Sequence, residues 1–226
     1  RRLLPMLRYL VMLPMFLATT PAQAELAWAE LRPLPDPHGF AGAFAGTSDG
    51  VLLVAGGANF PDGAPWDGGA KAWHDRIFAL EGPDGTWREV GRLPRPLGYG
   101  VSITLPEGVV CIGGSDATAH HAEVFRLRWS GTAVETETLP PLPVPLANMA
   151  GALVGKTIHI IGGSTTPDAT GASHRHFAFD GSGWSELDPL PGPGRVLPVA
   201  GSRGDSFLVF SGASLAPDTE GRPART

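Results

Sequence analysis

Cysteine is all but missing from this chain: Cys111 is the one copy among 226 residues, so no disulfide can form within it. The lone thiol sits in the apolar run Val109-Val110-Cys111-Ile112, which reads as a core strand and marks it as a small buried hydrophobe. Tyrosine is scarce too, with only Tyr9 and Tyr99. Scarcity of both residues argues against a copper site built on tyrosine and cysteine ligation. Charged residues make up only 17% of the chain, and the net charge of −5 comes with no Lys/Arg cluster in the body of the sequence. A phosphate-binding face needs such a cluster, so no nucleic-acid partner is expected. The abundant residues are instead 31 glycines and 23 prolines, which suit an all-β protein rich in turns.

The first residues differ from the rest. Arg1, Arg2 and Arg8 precede an apolar segment over 9–18, and Ala22-Gln23-Ala24 places small residues where a signal peptidase reads. This pattern predicts a signal peptide over 1–24, cleaved near Ala24, and a periplasmic or secreted protein. The apolar segment contains Pro14 and is too short to span a bilayer, so no stable membrane anchor is expected.

The remainder is an array. Leu34-Pro35-Asp36-Pro37, Leu93-Pro94-Arg95-Pro96, Leu142-Pro143-Val144-Pro145 and Leu190-Pro191-Gly192-Pro193 punctuate it. After each comes an apolar run closed by Gly56-Gly57, Gly113-Gly114, Gly162-Gly163 or Ser211-Gly212. A period of about fifty residues, with a strand ending in Gly-Gly and a Trp downstream, is the signature of kelch-type β-propeller blades. The expected blades cover 38–95, 96–144 and 145–192, with a partial blade over 193–226 and residues 25–37 as a closing strand. Four strands per blade are predicted; in the first they fall at 40–46, 51–57, 77–80 and 86–93, the last carrying Trp87. Such a Trp most simply fills space between blades. About four blades' worth of chain follows residue 24, so the sequence predicts three full blades and partial ones of a six-bladed ring, an incomplete propeller lacking two blades on its C-terminal side.

Function is then expected in the loops. The outstanding one follows the first Gly pair and runs over 56–75, mixing Phe60, Trp66 and Trp73 with Asn59, Lys71 and His74. Ring faces together with amide, amine and imidazole groups suit a sugar. The remaining histidines do not suggest a metal. His120 and His121 are adjacent and so point to opposite faces of a strand, whereas His174 and His176 share a face but lack a third ligand.

The segment Phe40-Ala41-Gly42-Ala43-Phe44-Ala45-Gly46, then Leu53-Val54-Ala55-Gly56-Gly57-Ala58-Asn59-Phe60, the Lys71 region, and Gly98-Tyr99-Gly100-Val101-Ser102 resemble the N-acetylneuraminate epimerases, also called sialic acid mutarotases. Their early position is similar to the cyclically permuted mutarotase branch. The resemblance covers most of residues 38–125; the rest matches only as generic kelch repeats. It implies a six-bladed periplasmic propeller that interconverts anomers of sialic acid by acid/base ring opening without a cofactor. It also implies that Asn59, Lys71, Trp73 and His74 lie near the sugar. The family's candidate catalytic Glu and Arg lie in a Gly-Glu-x-Lys-Pro-Gly-Leu-Arg segment absent from this sequence and are expected beyond Thr226, which leaves these residues inactive by that mechanism. Glu220-Gly221-Arg222 is a superficial echo of it. The competing expectation is a non-catalytic propeller that binds glycans or protein partners, since kelch folds host many functions.

Overall fold

The computed structural model describes residues 27–226. The signal peptide expected over 1–24 lies outside them. Two units are distinguished, Arg1–Glu30 and Leu31–Thr226. Of the first, only exposed, irregular residues 27–30 are described. The second is built from β-strands.

The strands fall in chain order as β1 Phe44–Ser48, β2 Val51–Ala55, β3 Ala58–Asn59, β4 Ala72–Trp73, β5 Arg76–Leu80 and β6 Arg88–Arg92; β7 Val101–Leu105, β8 Gly108–Ser115, β9 His120–Trp129 and β10 Val134–Leu139; β11 Ala147–Val154, β12 Thr157–Ser164, β13 His176–Phe179 and β14 Trp184–Leu187; and β15 Val199–Arg203, β16 Ser206–Phe210, β17 Leu215–Pro217 and β18 Pro223–Arg225. They form three four-stranded antiparallel sheets, β1-β2-β5-β6, β7-β8-β9-β10 and β11-β12-β13-β14, followed by the hairpin β15-β16. Two short hairpins, β3-β4 and β17-β18, stand apart from these sheets. The four-stranded repeat expected from the sequence is therefore present, with strand ends shifted by a few residues.

Sheets pack face to face, so the second strand of each repeat is apolar on both sides. On β8 the alternation divides the core: Val109 and Cys111 join Phe44, Leu53, Ile77 and Phe125 between the first two sheets, while Val110 and Ile112 join Leu146, Ile158, Ile160 and Phe177 between the second and third. Cys111 is fully buried, and desolvation pushes its thiol pKa far up, so the group stays an unreactive thiol.

Each glycine pair joins one repeat to the next. The second glycine donates its N–H to a carbonyl of the following repeat, Gly57 to Leu97 at 2.8 Å, Gly114 to Leu146 at 2.8 Å and Gly163 to Arg195 at 2.7 Å. The first glycine makes room for that same carbonyl. A Cβ on Gly113, whose φ is +57°, would lie 2.5 Å from the Leu146 oxygen. The Leu-Pro-x-Pro segments dock in the same region: the N–H groups of Leu93, Leu142 and Leu190 bond the carbonyls of Asp75, Ala122 and His174.

The tryptophans serve as ties. Trp87 lies just before β6 rather than within a strand, and its indole donates to the Arg32 carbonyl at 2.8 Å. Trp184, at the start of β14, donates to the Pro140 carbonyl at 2.9 Å and packs on Phe179. Arg32 and Pro140 each stand two residues before the Leu of a Leu-Pro-x-Pro segment. Of the closing strand expected over 25–37, the described part, 27–37, forms no strand, since a strand requires a hydrogen-bonded neighbour and none of the described sheets pairs with it. In β15-β16, the cross-strand pair Val199 and Phe210 is largely exposed.

Where that hairpin meets the third sheet, Phe207 stacks on both His159 and His176, with ring centroids 5.3 Å apart in each case. The imidazoles bond each other, His159 Nδ1 to His176 Nε2 at 2.9 Å. Desolvation lowers both pKa values; the neighbouring imidazole lowers that of His159 further, and the Asp188 carbonyl partly offsets the effect at His176. The fold thus disfavours protonation of both rings, and their contribution to stability is complete above the ordinary value of 6.5. It is lost as pH falls below 6.5, because the unfolded chain binds protons that the folded one resists. Thermal melts between about pH 7.5 and 5 should show a falling midpoint, with the slope reduced in His159→Phe/His176→Phe. Separately, Gly113→Ala should cost about 3 kcal/mol in urea unfolding, through the crowded carbonyl and the left-handed φ.

Candidate functional site

The inner strands β1, β7, β11 and β15 lie side by side. A second belt of hydrogen bonds joins residues at or just before their starts: Tyr99 N–H to the Gly42 carbonyl at 2.7 Å, Asn148 N–H to Tyr99 at 2.8 Å, and Leu197 N–H to Asn148 at 2.7 Å. All four have left-handed backbones, Gly42 at φ 65°, Tyr99 at 60°, Asn148 at 58° and Leu197 at 53°. This conformation costs a non-glycine residue roughly 1–2 kcal/mol, and here it turns three successive side chains into one cavity.

The cavity has a volume of about 630 Å³. On its first side stand Lys71, Trp73 and Tyr99. Trp73 is fixed opposite Ala58 in β3-β4, a hairpin placed directly after the first glycine pair. The hairpin loop turns through the 3₁₀ segment Pro65–Asp67, which ends at Gly68 in the left-handed region. Trp73 meets Tyr99 edge-on at 5.5 Å, and Lys71 Nζ lies 4.4 Å and 4.1 Å from the two ring centroids. A cation over two rings gains about 1–2 kcal/mol when shielded from water.

The second side is polar. His120 is buried, with Nε2 3.1 Å from Ser164 Oγ, and burial lowers its pKa. Its Nδ1 is buried without a hydrogen-bond partner. Burial raises the pKa of Asp116, but bonds from Thr118, Ala119 and His121 outweigh it and hold the carboxyl well below the usual carboxylate range. Asp116 is therefore a fixed anion whose oxygens are already engaged. His120 and His121 diverge as strand alternation requires. The third side comes from the last repeat: Val196, Leu197, Leu215, Pro223 and Arg225. Arg225 is paired across β17-β18 with Leu215. Neither Lys71 nor Arg225 has a carboxylate partner among the described residues.

Of the four residues expected at the site, Lys71 and Trp73 line the cavity and Asn59 and His74 do not. Asn59 donates to Asp36 Oδ1 at 3.2 Å and to the Gly39 carbonyl at 2.9 Å, while its Oδ1 faces His74 Nε2 at 2.8 Å. Burial lowers the His74 pKa, against the field of Asp36, and the neutral ring packs edge-on against Phe40 at 4.9 Å. These two residues anchor the base of the hairpin that carries Lys71 and Trp73. Of His174 and His176, whose spacing would put them on one strand face, His176 bonds His159, a partner that sequence spacing does not suggest. Among the described residues no group of three or more His, Cys, Asp or Glu side chains is placed to hold a metal ion. Glu220-Gly221-Arg222 forms the β17-β18 turn, organised by Asp218, which accepts bonds from the Glu220 and Arg222 N–H groups at 2.8 Å each.

Tyr99, Asn148 and Leu197 were missed as a set. Their signal is positional: Asn148 follows Tyr99 by 49 residues (148 − 99), and Leu197 follows Asn148 by 49 (197 − 148). His120, Ser164 and Arg225 carry no comparable signal.

Repeated four-stranded sheets around an axial cavity define a kelch-type β-propeller. The solved structure of YjhT matches this fold with a TM-score of 0.70 over 86% of the present chain and 65% of that one, at 17% identity. A sequence profile described as N-acetylneuraminate epimerase matches residues 17–136, more than half of the chain, and the chain belongs to that family. N-acetylneuraminate epimerases are among its relatives: that of Brucella suis is 39% identical over 49% of this chain and 32% of its own length, and that of Yersinia pestis 44% identical over 44% and 28%. The Vibrio cholerae protein is 38% identical over 48% and 32%. The chain thus spans about a third of the length of the curated relatives it matches. Among the described residues no helix is long and apolar enough to cross a membrane.

If Asn59 acts only through the hairpin base, Asn59→Leu should destabilise the fold by about 1–3 kcal/mol, by orphaning Asp36 and His74. Sugar binding measured by NMR titration below the melting range should change less than twofold.

Proposed function

We propose that this protein is an exported mutarotase that binds sialic acid or a related acidic sugar in the axial cavity and speeds exchange between its anomers. The observation that carries the reading is the pair of cations, Lys71 and Arg225, lining a cavity in which Asp116, the one carboxylate side chain among the described lining residues, is already engaged by its own loop and His121. An anionic sugar meets complementary charge there. The planar fork of Arg225 suits both carboxylate oxygens, and Trp73 and Tyr99 offer ring faces to the sugar's C–H surface. Ser164 and Asn148 offer hydroxyl and amide groups to sugar hydroxyls.

Mutarotation requires a base to take the anomeric hydroxyl proton and an acid to protonate the ring oxygen, with the roles reversed on closure. The described residues supply the binding wall for that reaction, and none of them is assigned as the acid or base. Family membership supports the reaction class, and the cavity supports the acidic substrate.

Saturation-transfer NMR on N-acetylneuraminate tests both parts. Faster transfer between the anomeric signals in the presence of the protein supports the mutarotase. Shifted signals without faster exchange indicate a sugar-binding propeller instead, and unchanged signals overturn the reading. Arg225→Met should weaken binding by about 10–100-fold, the loss expected for a charge-assisted pair.

A further inference from the structure

The last position of the left-handed belt holds a leucine. Asn148 tolerates positive φ through its short polar side chain, and Tyr99 is braced by Trp73 and Lys71. Leu197 has neither support, yet it adopts φ 53° with its side chain 44% exposed. Its backbone is imposed by neighbours: its N–H bonds Asn148, and the adjacent Val196 exchanges two bonds with Ala213, at 2.9 and 3.0 Å. The result is a strained apolar side chain held toward the cavity. Val196, Leu215 and Pro223 of the same repeat line that side with it, and Arg225 stands across the hairpin from Leu215. The side chains of these four apolar residues carry no polar atom, although the rest of the cavity wall is largely polar or aromatic.

We propose that this apolar corner receives the methyl of an N-acyl group on the acidic sugar, with Leu197 as the residue that sets specificity for it. The inference rests on the acidic-sugar reading above and adds a prediction that reading does not make. With its carboxylate on Arg225, the ligand turns an acyl methyl toward Leu197, Leu215 and Pro223. An acetyl methyl loses contact with water there. A hydroxyl on that methyl would be buried without a side-chain partner, and a sugar with a plain hydroxyl in place of the acylamino group leaves the corner unfilled. Burial of one methyl is worth about a fourfold gain in affinity, and an unpaired buried hydroxyl about a tenfold loss or more.

The test titrates the protein, by NMR, with N-acetylneuraminate, its N-glycolyl analogue and the deaminated analogue bearing hydroxyl in place of the acylamino group. Wild type should bind the acetyl sugar about fourfold more tightly than the deaminated analogue and about tenfold more tightly than the N-glycolyl analogue. Leu197→Asn and Leu197→Gly, both compatible with the left-handed backbone, should keep or raise the melting temperature and bring the acetyl preference below about twofold. Equal wild-type affinities, or an acetyl preference that survives both substitutions, would overturn the subsite. If all three sugars bind equally and Arg225→Met weakens them alike, the acidic-sugar reading stands and only the subsite fails. If none binds, both fail together.

Discussion

The fold hinges on one carbonyl per repeat. The oxygens of Leu97, Leu146 and Arg195 each reach into the preceding repeat, pass over a glycine that has no Cβ to obstruct them, and accept the N–H of the next glycine. Hydrophobic packing between sheets is strong but forgiving, because apolar faces can slide. The carbonyl contact does not slide: it fixes the register of each sheet against the next to within the length of a hydrogen bond. With that register set, the residues that follow, Tyr99, Asn148 and Leu197, fall into a second line of bonds and have no choice but the left-handed conformation.

The site follows from this arrangement. A cavity wall needs side chains from distant parts of the chain at matched depth, and the belt supplies one from each repeat after the first: Tyr99, Asn148 and Leu197. The short hairpins β3-β4 and β17-β18 then add Lys71, Trp73 and Arg225 at either side. Asn59 and His74 hold the first hairpin to the sheet through Asp36 and Gly39. The β17-β18 turn is held by local contacts, chiefly bonds from Glu220 and Arg222 to Asp218 and an Arg222–Glu220 ion pair.

Much of the fold was legible because it is written as repetition. Leu-Pro-x-Pro, Gly-Gly and the apolar run between them recur at a fixed period, and each maps to a particular contact: a docked N–H, a shared carbonyl, a core strand. The hairpin β17-β18 was not legible, since its residues Leu215 to Arg225 carry no alternation and its turn, Asp218 to Arg222, resembles a catalytic motif only in letters. Loop length and composition pointed to Asn59, Lys71, Trp73 and His74 together; the fold brings Lys71 and Trp73 to the cavity wall and Asn59 and His74 to the base of the hairpin, a division that composition does not carry. His120 and Ser164 belong to different repeats 44 residues apart, and only the packing of one sheet on the next brings them together.

The left-handed belt separates two roles that most binding sites leave entangled. Its hydrogen bonds run through main-chain atoms alone, so the shape of the backbone owes nothing to which side chain stands at each place. Tyrosine, asparagine and leucine occupy equivalent places in one molecule without disturbing the line. Evolution can therefore rewrite the chemistry of the wall one letter at a time, limited mainly by what each letter loses in an unfavourable backbone, and a duplicated repeat brings a fresh letter with it.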